Sequence, residues 1–180
     1  MLNTNRLILQ LPSDALIEEY LNFLTRNREF FQKWGPAHSE NYFTLETQKK
    51  RLGDNLKRIE EGVDIRFLIS LQNEPSRIIS EITLTNIVRF GFQSGYLGYQ
   101  TDKDIQSKGY TTEALKTTID YLFSEIKLHR IEANVMPGNA PSIRLLQKLN
   151  FEHQGTFKKY LKINGEWEDH LCFVLLNPSP

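Results

Sequence analysis

Gly98-Tyr99-Gln100-Thr101-Asp102-Lys103-Asp104-Ile105-Gln106-Ser107-Lys108-Gly109-Tyr110-Thr111 joins two different hydrophobic periods. Before it, Ser94 to Thr101 alternates as a strand does. After it, Ala114, Leu115, Ile119, Leu122, Phe123 and Ile126 recur with helical spacing, so a helix begins near Thr111. A strand that feeds a helix through a glycine-containing loop suits phosphate. The first helical amides lack carbonyl partners and point outward with a partial positive charge, and Gly109 lets the backbone approach a pyrophosphate closely. Lys108 adds a cation. Taken alone, the segment reads more readily as a plain strand-to-helix turn with a flexible glycine.

Its surroundings give it more weight. Downstream, Arg130 to Met136 forms a strand, and Asn139 caps a helix whose inner face is Ile143, Leu145, Leu146 and Leu149, with Pro141 in its first turn. Strands from Glu152 to Ile163 and from Trp167 to Leu176 flank Asn164-Gly165, a hairpin-turn pair. Upstream, Ile65 to Leu71, Arg77 to Val88 and Ser94 to Thr101 form a meander punctuated by Asn73-Glu74-Pro75 and Gly91. A strand from Arg6 to Leu11 stops at Pro12-Ser13, which opens a helix with the stripe Leu16, Ile17, Tyr20, Leu21 and Leu24. Asn27 to His38 reads as irregular, and a second helix runs from Thr44 to a stop at Gly62. The order predicts an α+β fold over residues 1–180 as one domain: a mixed, mostly antiparallel sheet of seven strands flanked by about four helices.

Composition narrows the classes. The 22 basic and 22 acidic residues cancel, which removes the charge excess that non-specific nucleic-acid binding uses. Cys172 has no second cysteine to pair with, and His38, His129, His153 and His170 are too dispersed to suggest a metal site. No leader pattern or membrane-length apolar run is present, so a soluble cytoplasmic protein without a membrane partner is expected. Phe30, Phe31 and Trp34 suit an acceptor site or a homodimer interface, and ordinary packing accounts for them equally well.

Gln106-Ser107-Lys108-Gly109-Tyr110-Thr111 resembles the acetyl-CoA loop of the Gcn5-related N-acetyltransferase (GNAT) superfamily, Q/R-x-x-G-x-G/A, with Thr111 at the usual Gly or Ala. The likeness extends over nearly the whole chain and is greatest to the RimJ/RimL branch of ribosomal-protein N-terminal acetyltransferases. It is carried by Thr4-Asn5-Arg6-Leu7, Ile87-Val88-Arg89, Tyr96-Leu97-Gly98-Tyr99, His129-Arg130-Ile131-Glu132-Ala133-Asn134, Gly155, Tyr160-Leu161 and Asn164-Gly165-Glu166-Trp167-Glu168-Asp169-His170. The resemblance implies a GNAT fold whose sheet splays between two parallel strands to admit acetyl-CoA, without a metal. It implies that Tyr99, Gln100 and Thr101 line pantetheine, that Gln106, Ser107, Lys108, Gly109, Tyr110, Thr111 and Thr112 hold the pyrophosphate, and that Asn139 contacts the pantetheine arm. On residue chemistry alone, Tyr99 is equally a packed aromatic and Asn139 a helix cap.

Direct transfer to an amine needs a neutral nitrogen, donors at the thioester carbonyl and an acid for the leaving thiolate. The family tyrosine that often serves as acid corresponds to Leu146 here, and Ser142 matches the serine of RimL-like proteins; as a bland alternative, Ser142 is a polar first-turn residue. The two glutamate positions of related enzymes correspond to Asn134 and Gln154, which leaves Glu81 and Glu132 as candidate bases or as ordinary ion-paired carboxylates. Water is a third route for the proton, because an α-amine has a pKa of about 7.7–8.0. The resemblance implies the N-terminal α-amine of a ribosomal protein as acceptor. The alternatives are a small amine such as a polyamine or amino-sugar antibiotic, or a non-catalytic acyl-CoA sensor.

Overall fold

Alternating apolar residues in this chain need a partner on each side, and the structure, a computed structural model that describes residues 1–179, supplies it with one eight-stranded sheet. The strands are β1 (Leu2–Asn3), β2 (Leu7–Gln10), β3 (Ile65–Leu71), β4 (Glu74–Val88), β5 (Ser94–Thr101), β6 (Arg130–Val135), β7 (Glu152–Ile163) and β8 (Glu166–Leu176). They lie side by side in the order β1-β2-β3-β4-β5-β6-β8-β7. Neighbours pair antiparallel except β5 and β6, which are parallel. A parallel pair needs a long crossover, and α4 (Tyr110–Ser124) provides it. The other helices are α1 (Ile17–Arg26), α2 (Arg28–Gln32), α3 (Leu45–Glu60) and α5 (Ala140–Lys148).

Three sequence expectations need correction. The sheet has eight strands, not seven, because Leu2 and Asn3 pair with Leu9 and Ile8 at one edge, too briefly for a period to show. There are five helices, not four: within the stretch read as irregular, Arg28–Gln32 forms a short helix as Phe31 packs on Phe23 with ring centroids 5.3 Å apart. Pro75 lies inside β4 rather than in the turn before it. Register shifts between Ile69 and Leu71 loosen the ladder there, where a residue without an N–H is tolerated.

Each face of the sheet buries its own set of side chains. Ile82, Leu84, Leu97, Ile131, Ala133 and Val135 pack with Ala114, Leu115, Ile119 and Leu122 of α4 and Leu146 and Leu149 near α5. On the opposite face, Leu68 and Ile78 meet Ile17, Tyr20, Phe23 and Leu24 of α1 and Leu52 of α3. At about 1.5–3 kcal/mol for each large apolar side chain fully buried, these two clusters set the fold. Thr44 caps α3 by accepting from the Thr47 amide, and the Asn164-Gly165 turn between β7 and β8 has both residues at positive φ, 50° and 94°, as a tight hairpin requires. Among the described residues no helix is long and apolar enough to cross a membrane.

A polar tie holds the end of β5 in place. Asp102, 0% exposed, accepts from Arg26 Nε at 2.8 Å, Arg77 Nη2 at 3.3 Å and the Asp104 amide at 3.0 Å. Burial by itself would raise its pKa, but the amide and the two guanidiniums outweigh burial and hold it below the ordinary carboxylate value. Beside it, Asn27 accepts from the Lys103 amide at 3.0 Å and donates to the Phe23 carbonyl at 2.9 Å, which fastens the following loop to α1.

Asp102→Asn should therefore cost about 1.5–3 kcal/mol of stability at neutral pH, since the buried carboxylate that two partly exposed guanidiniums bind loses its charge. Because the folded pKa lies below the unfolded one, this contribution is complete above pH ~4 and fades as pH falls through the folded value. Urea unfolding of parent and variant at pH 7 and pH 3 should show the gap narrowing in acid.

Candidate active site

β5 and β6 pair at three positions, Ser94 with Arg130, Gly95 with Ile131 and Tyr96 with Glu132. Beyond that rung they part. β5 stays with β4 until Thr101 meets Ser80, while β6 stays with β8 until Val135 meets Leu171. The walls of the resulting opening carry main-chain N–H and C=O groups that no neighbouring strand satisfies, so an extended, amide-bearing ligand can enter there as a strand would.

The loop that leaves β5 closes one end of the opening. Gly109 is the N-cap of α4 with φ 80°, and Ser107 two residues earlier has φ 63°. Left-handed residues alternating with ordinary ones turn successive amides to the same side, in line with the first amides of α4. Gln106 braces the loop from beneath, its Nε2 donating to the Thr101 carbonyl at 3.1 Å and lying 3.3 Å from that of Asp102. Arg6 braces it from the side. Its Nη1 donates to the Lys108 carbonyl at 3.2 Å, its Nε to Glu113 at 2.7 Å, and its guanidinium lies 4.6 Å from the Tyr110 ring centroid. Lys108 is exposed, and Thr112 stands half-buried in the first turn of α4. The Thr111 hydroxyl is turned inward to Thr101 Oγ1 at 2.9 Å, which in turn lies 3.1 Å from Ser80 Oγ.

A hydroxyl pair crosses from β5 to α5. Tyr99 Oη and Ser142 Oγ are 2.6 Å apart. Burial pushes the Tyr99 phenol up to about 12, against the opposing pull of the Ser142 hydrogen bond, so it is protonated at neutral pH. Asn139 caps α5, its Oδ1 accepting from the Ser142 amide at 3.3 Å, and thereby fixes where Ser142 starts. On the other face, Glu132 pairs with Arg130 at 2.8 Å, and Asn134 Nδ2 lies 3.5 Å from Tyr160 Oη. Burial raises the Tyr160 phenol above its ordinary value, helped by Tyr96, Glu132 and Cys172.

Residues 6–152 match the family model described as acetyltransferase (GNAT) domain. The chain belongs to the GNAT family. It is 40% identical over 162 residues to the probable N-acetyltransferase YjcK of Bacillus subtilis, covering 90% of this chain and 89% of that protein. It is 34% identical over 178 residues to the Escherichia coli ribosomal protein uS5-alanine N-acetyltransferase, covering 99% and 91%. The crystal structure of the ribosomal-protein-S5-alanine acetyltransferase from Vibrio fischeri superposes with a TM-score of 0.93 at 34% identity, over 99% of this chain and 97% of that one. The protein is thus a GNAT acetyltransferase similar to the RimJ/RimL branch.

For this GNAT chain, the structure gathers Tyr99, Asn139 and Ser142 at one place, and Thr101, Gln106 and Ser107 to Thr111 at the adjoining loop. It does not bring Glu81 into contact with them. Glu81 is buried with Arg66 and accepts from Tyr20 Oη at 3.0 Å, on the side of the sheet that α1 covers. Arg6 was legible as the start of a strand and as part of the Thr4-Asn5-Arg6-Leu7 resemblance, with no role at the loop. Nothing in its neighbourhood announces that it meets Lys108 and Glu113 across the fold. Trp34, read as a loop aromatic, lies close to Gly138, where an added Cβ would stand 3.6 Å from its ring.

Gly109→Val should weaken coenzyme A binding by roughly tenfold or more, since φ 80° is strained for a β-branched residue and the loop must shift. Calorimetric titration with coenzyme A checks this, alongside a circular dichroism spectrum that should match the parent. Unchanged affinity would remove this loop from the cofactor site.

Proposed function

We propose that this protein acetylates the N-terminal α-amine of a ribosomal protein in the cytoplasm, by direct transfer from acetyl-CoA. The observation that carries the proposal is the opening between β5 and β6 with an amide-rich, cation-flanked loop at its end, in a chain similar over 99% of its length to two S5-alanine acetyltransferases. The residues fit the cofactor. Main-chain amides from Gln106 to Thr111 and Thr112, with Lys108 and Arg6 alongside, suit a pyrophosphate. On the edge of β5 that faces the opening, the main chain of Tyr99 and the amide of Thr101 suit the pantetheine amides, while the Gln100 carbonyl accepts from Ser80 Oγ at 2.7 Å and the Thr101 carbonyl from Gln106; Asn139 keeps its Nδ2 for the same arm. When bound, acetyl-CoA supplies an acetyl group activated as a thioester.

Ser142 holds a proton at Oγ for the departing sulfur, and Tyr99, kept protonated by burial, steadies that hydroxyl from 2.6 Å and can restore its proton. Glu81 is committed to Arg66 and Tyr20, and Glu132 to Arg130, so solvent takes the amine proton. An α-amine with a pKa near 7.7–8.0 gives it up readily, whereas a lysine amine near 10.4 costs about 3–4 kcal/mol more. An enzyme without a dedicated base therefore selects α-amines.

Ser142→Ala should lower kcat by about a hundredfold while KM for acetyl-CoA moves less than threefold, in steady-state assays. Equal turnover in variant and parent would take Ser142 out of the reaction.

The acceptor is tested by comparing kcat/KM for an alanine-starting peptide, the same peptide N-terminally blocked but containing lysine, and spermidine. The free α-amine should win by at least a hundredfold. Faster acetylation of spermidine or of the blocked peptide would overturn the N-terminal assignment and leave the family assignment standing.

A further inference from the structure

Four buried side-chain polar atoms lack a hydrogen-bond partner among the described residues: Ser70 Oγ, Gln100 Oε1, Thr118 Oγ1 and Asn134 Oδ1. The two hydroxyls rotate and can be donor or acceptor, but an amide oxygen only accepts and must be given a donor. A buried acceptor left without one costs stability, so native folds rarely keep one without a use. Both amides stand on the walls of the opening, Gln100 on β5 and Asn134 on β6, past the last shared rung of Tyr96 and Glu132.

Strand alternation puts them on one face. Gln100 is opposite Glu81, whose carboxylate lies with Tyr20 of α1, and Asn134 is opposite Cys172, whose Sγ lies 3.9 Å from Glu132. This is the face away from α4 and α5. Two residues past the last rung, the strands reach Gly98 and Asn134 respectively, and Gly98 leaves the wall bare; a Cβ there would come within 3.0 Å of Thr83 Oγ1. Asn134 Nδ2 lies 3.5 Å from Tyr160 Oη, and its oxygen is left without a partner.

We propose that Gln100 Oε1 and Asn134 Oδ1 form the receptor for the acceptor amine, each taking one N–H of a neutral primary amine and leaving its lone pair free. The match is one of count. A neutral primary amine has two N–H donors and one lone pair, and two acceptor oxygens use both donors. Neutral amides suit the task better than carboxylates, because they bind the nitrogen without adding the full negative charge that would keep it protonated. The nearby Glu132 is already neutralised by Arg130 at 2.8 Å. A secondary amine has one N–H and would satisfy one oxygen only. Gln100 and Asn134 are therefore specificity-determining residues for primary over secondary amines. The inference rests on the amine-acetylation reading above.

The test uses the full chain with Gln100→Met and Asn134→Leu, near-isosteric changes that remove the oxygen. Each should lower kcat/KM for an alanine-starting peptide about tenfold, and the preference for that peptide over its N-methylalanine counterpart should collapse towards one. Calorimetric affinity for coenzyme A should stay within twofold of the parent. The melting temperature should hold or rise, since each change removes an unpartnered buried oxygen. Unchanged kcat/KM in both variants overturns the inference, and so does a parallel loss of coenzyme A affinity, which would give the amides to the cofactor. If the parent acetylates no α-amine, the N-terminal reading fails separately. Titration of alaninamide into the coenzyme A-loaded protein then decides: weaker binding to both variants supports the receptor, and equal binding, or none to the parent, overturns it.

Discussion

β5 and β6 share only three rungs, while each stays with its outer neighbour for longer. The antiparallel ladders on their outer sides continue to Thr101 and to Val135, so each strand end follows its outer neighbour and not the other. The sheet therefore splays between these two strands, and much of the candidate site depends on that gap. It exposes the main-chain edge of β5, leaves room for Tyr99 to reach Ser142, and sets Gln100 and Asn134 on facing walls. Closing the gap would satisfy the backbone and abolish the site.

A gap in a sheet is tolerable only if its rims are fixed. On the β5 side that is the work of the buried Asp102, which ties the strand end to α1 through Arg26 and to β4 through Arg77. On the other side it is the cap of α5 by Asn139. Arg6 fastens the far end of the loop to β2 and to Glu113 of α4. These ties come from four parts of the chain, so the rims of the gap are held by the protein's own bonds.

The strands and helices with room for a full period were legible: β3 and β5 as bounded, and α3 and α4 within two residues at each end. Pieces shorter than a period were not, hence the unexpected Leu2–Asn3 strand and the Arg28–Gln32 helix, which owe their form to neighbours rather than to local pattern. The loop from Gln106 to Thr111 could be read because its backbone demand is written in one glycine before a helix. Partners remote in sequence could not. Glu81 looked available as a base, and only the fold reveals Arg66 and Tyr20 against it. Thr111 could be read only as a departure from the usual Gly or Ala, and only the fold shows its hydroxyl turned to Thr101.

The outer borders of the sheet bear on the same gap. An unpaired strand edge is a template on which any extended chain can assemble, and proteins blunt such edges with short strands, lysines and irregular register. Here one border is β1, two residues long, and the other is β7, which carries Lys158, Lys159 and Lys162 and slips register against β8 between Phe157 and Leu161. Neither presents a straight run of free amides and carbonyls. The template this sheet does offer lies in its interior, between β5 and β6, where entry is limited to something as slender as a single extended arm. The features that blunt the rims against strand addition leave it to the slot that holds the candidate site.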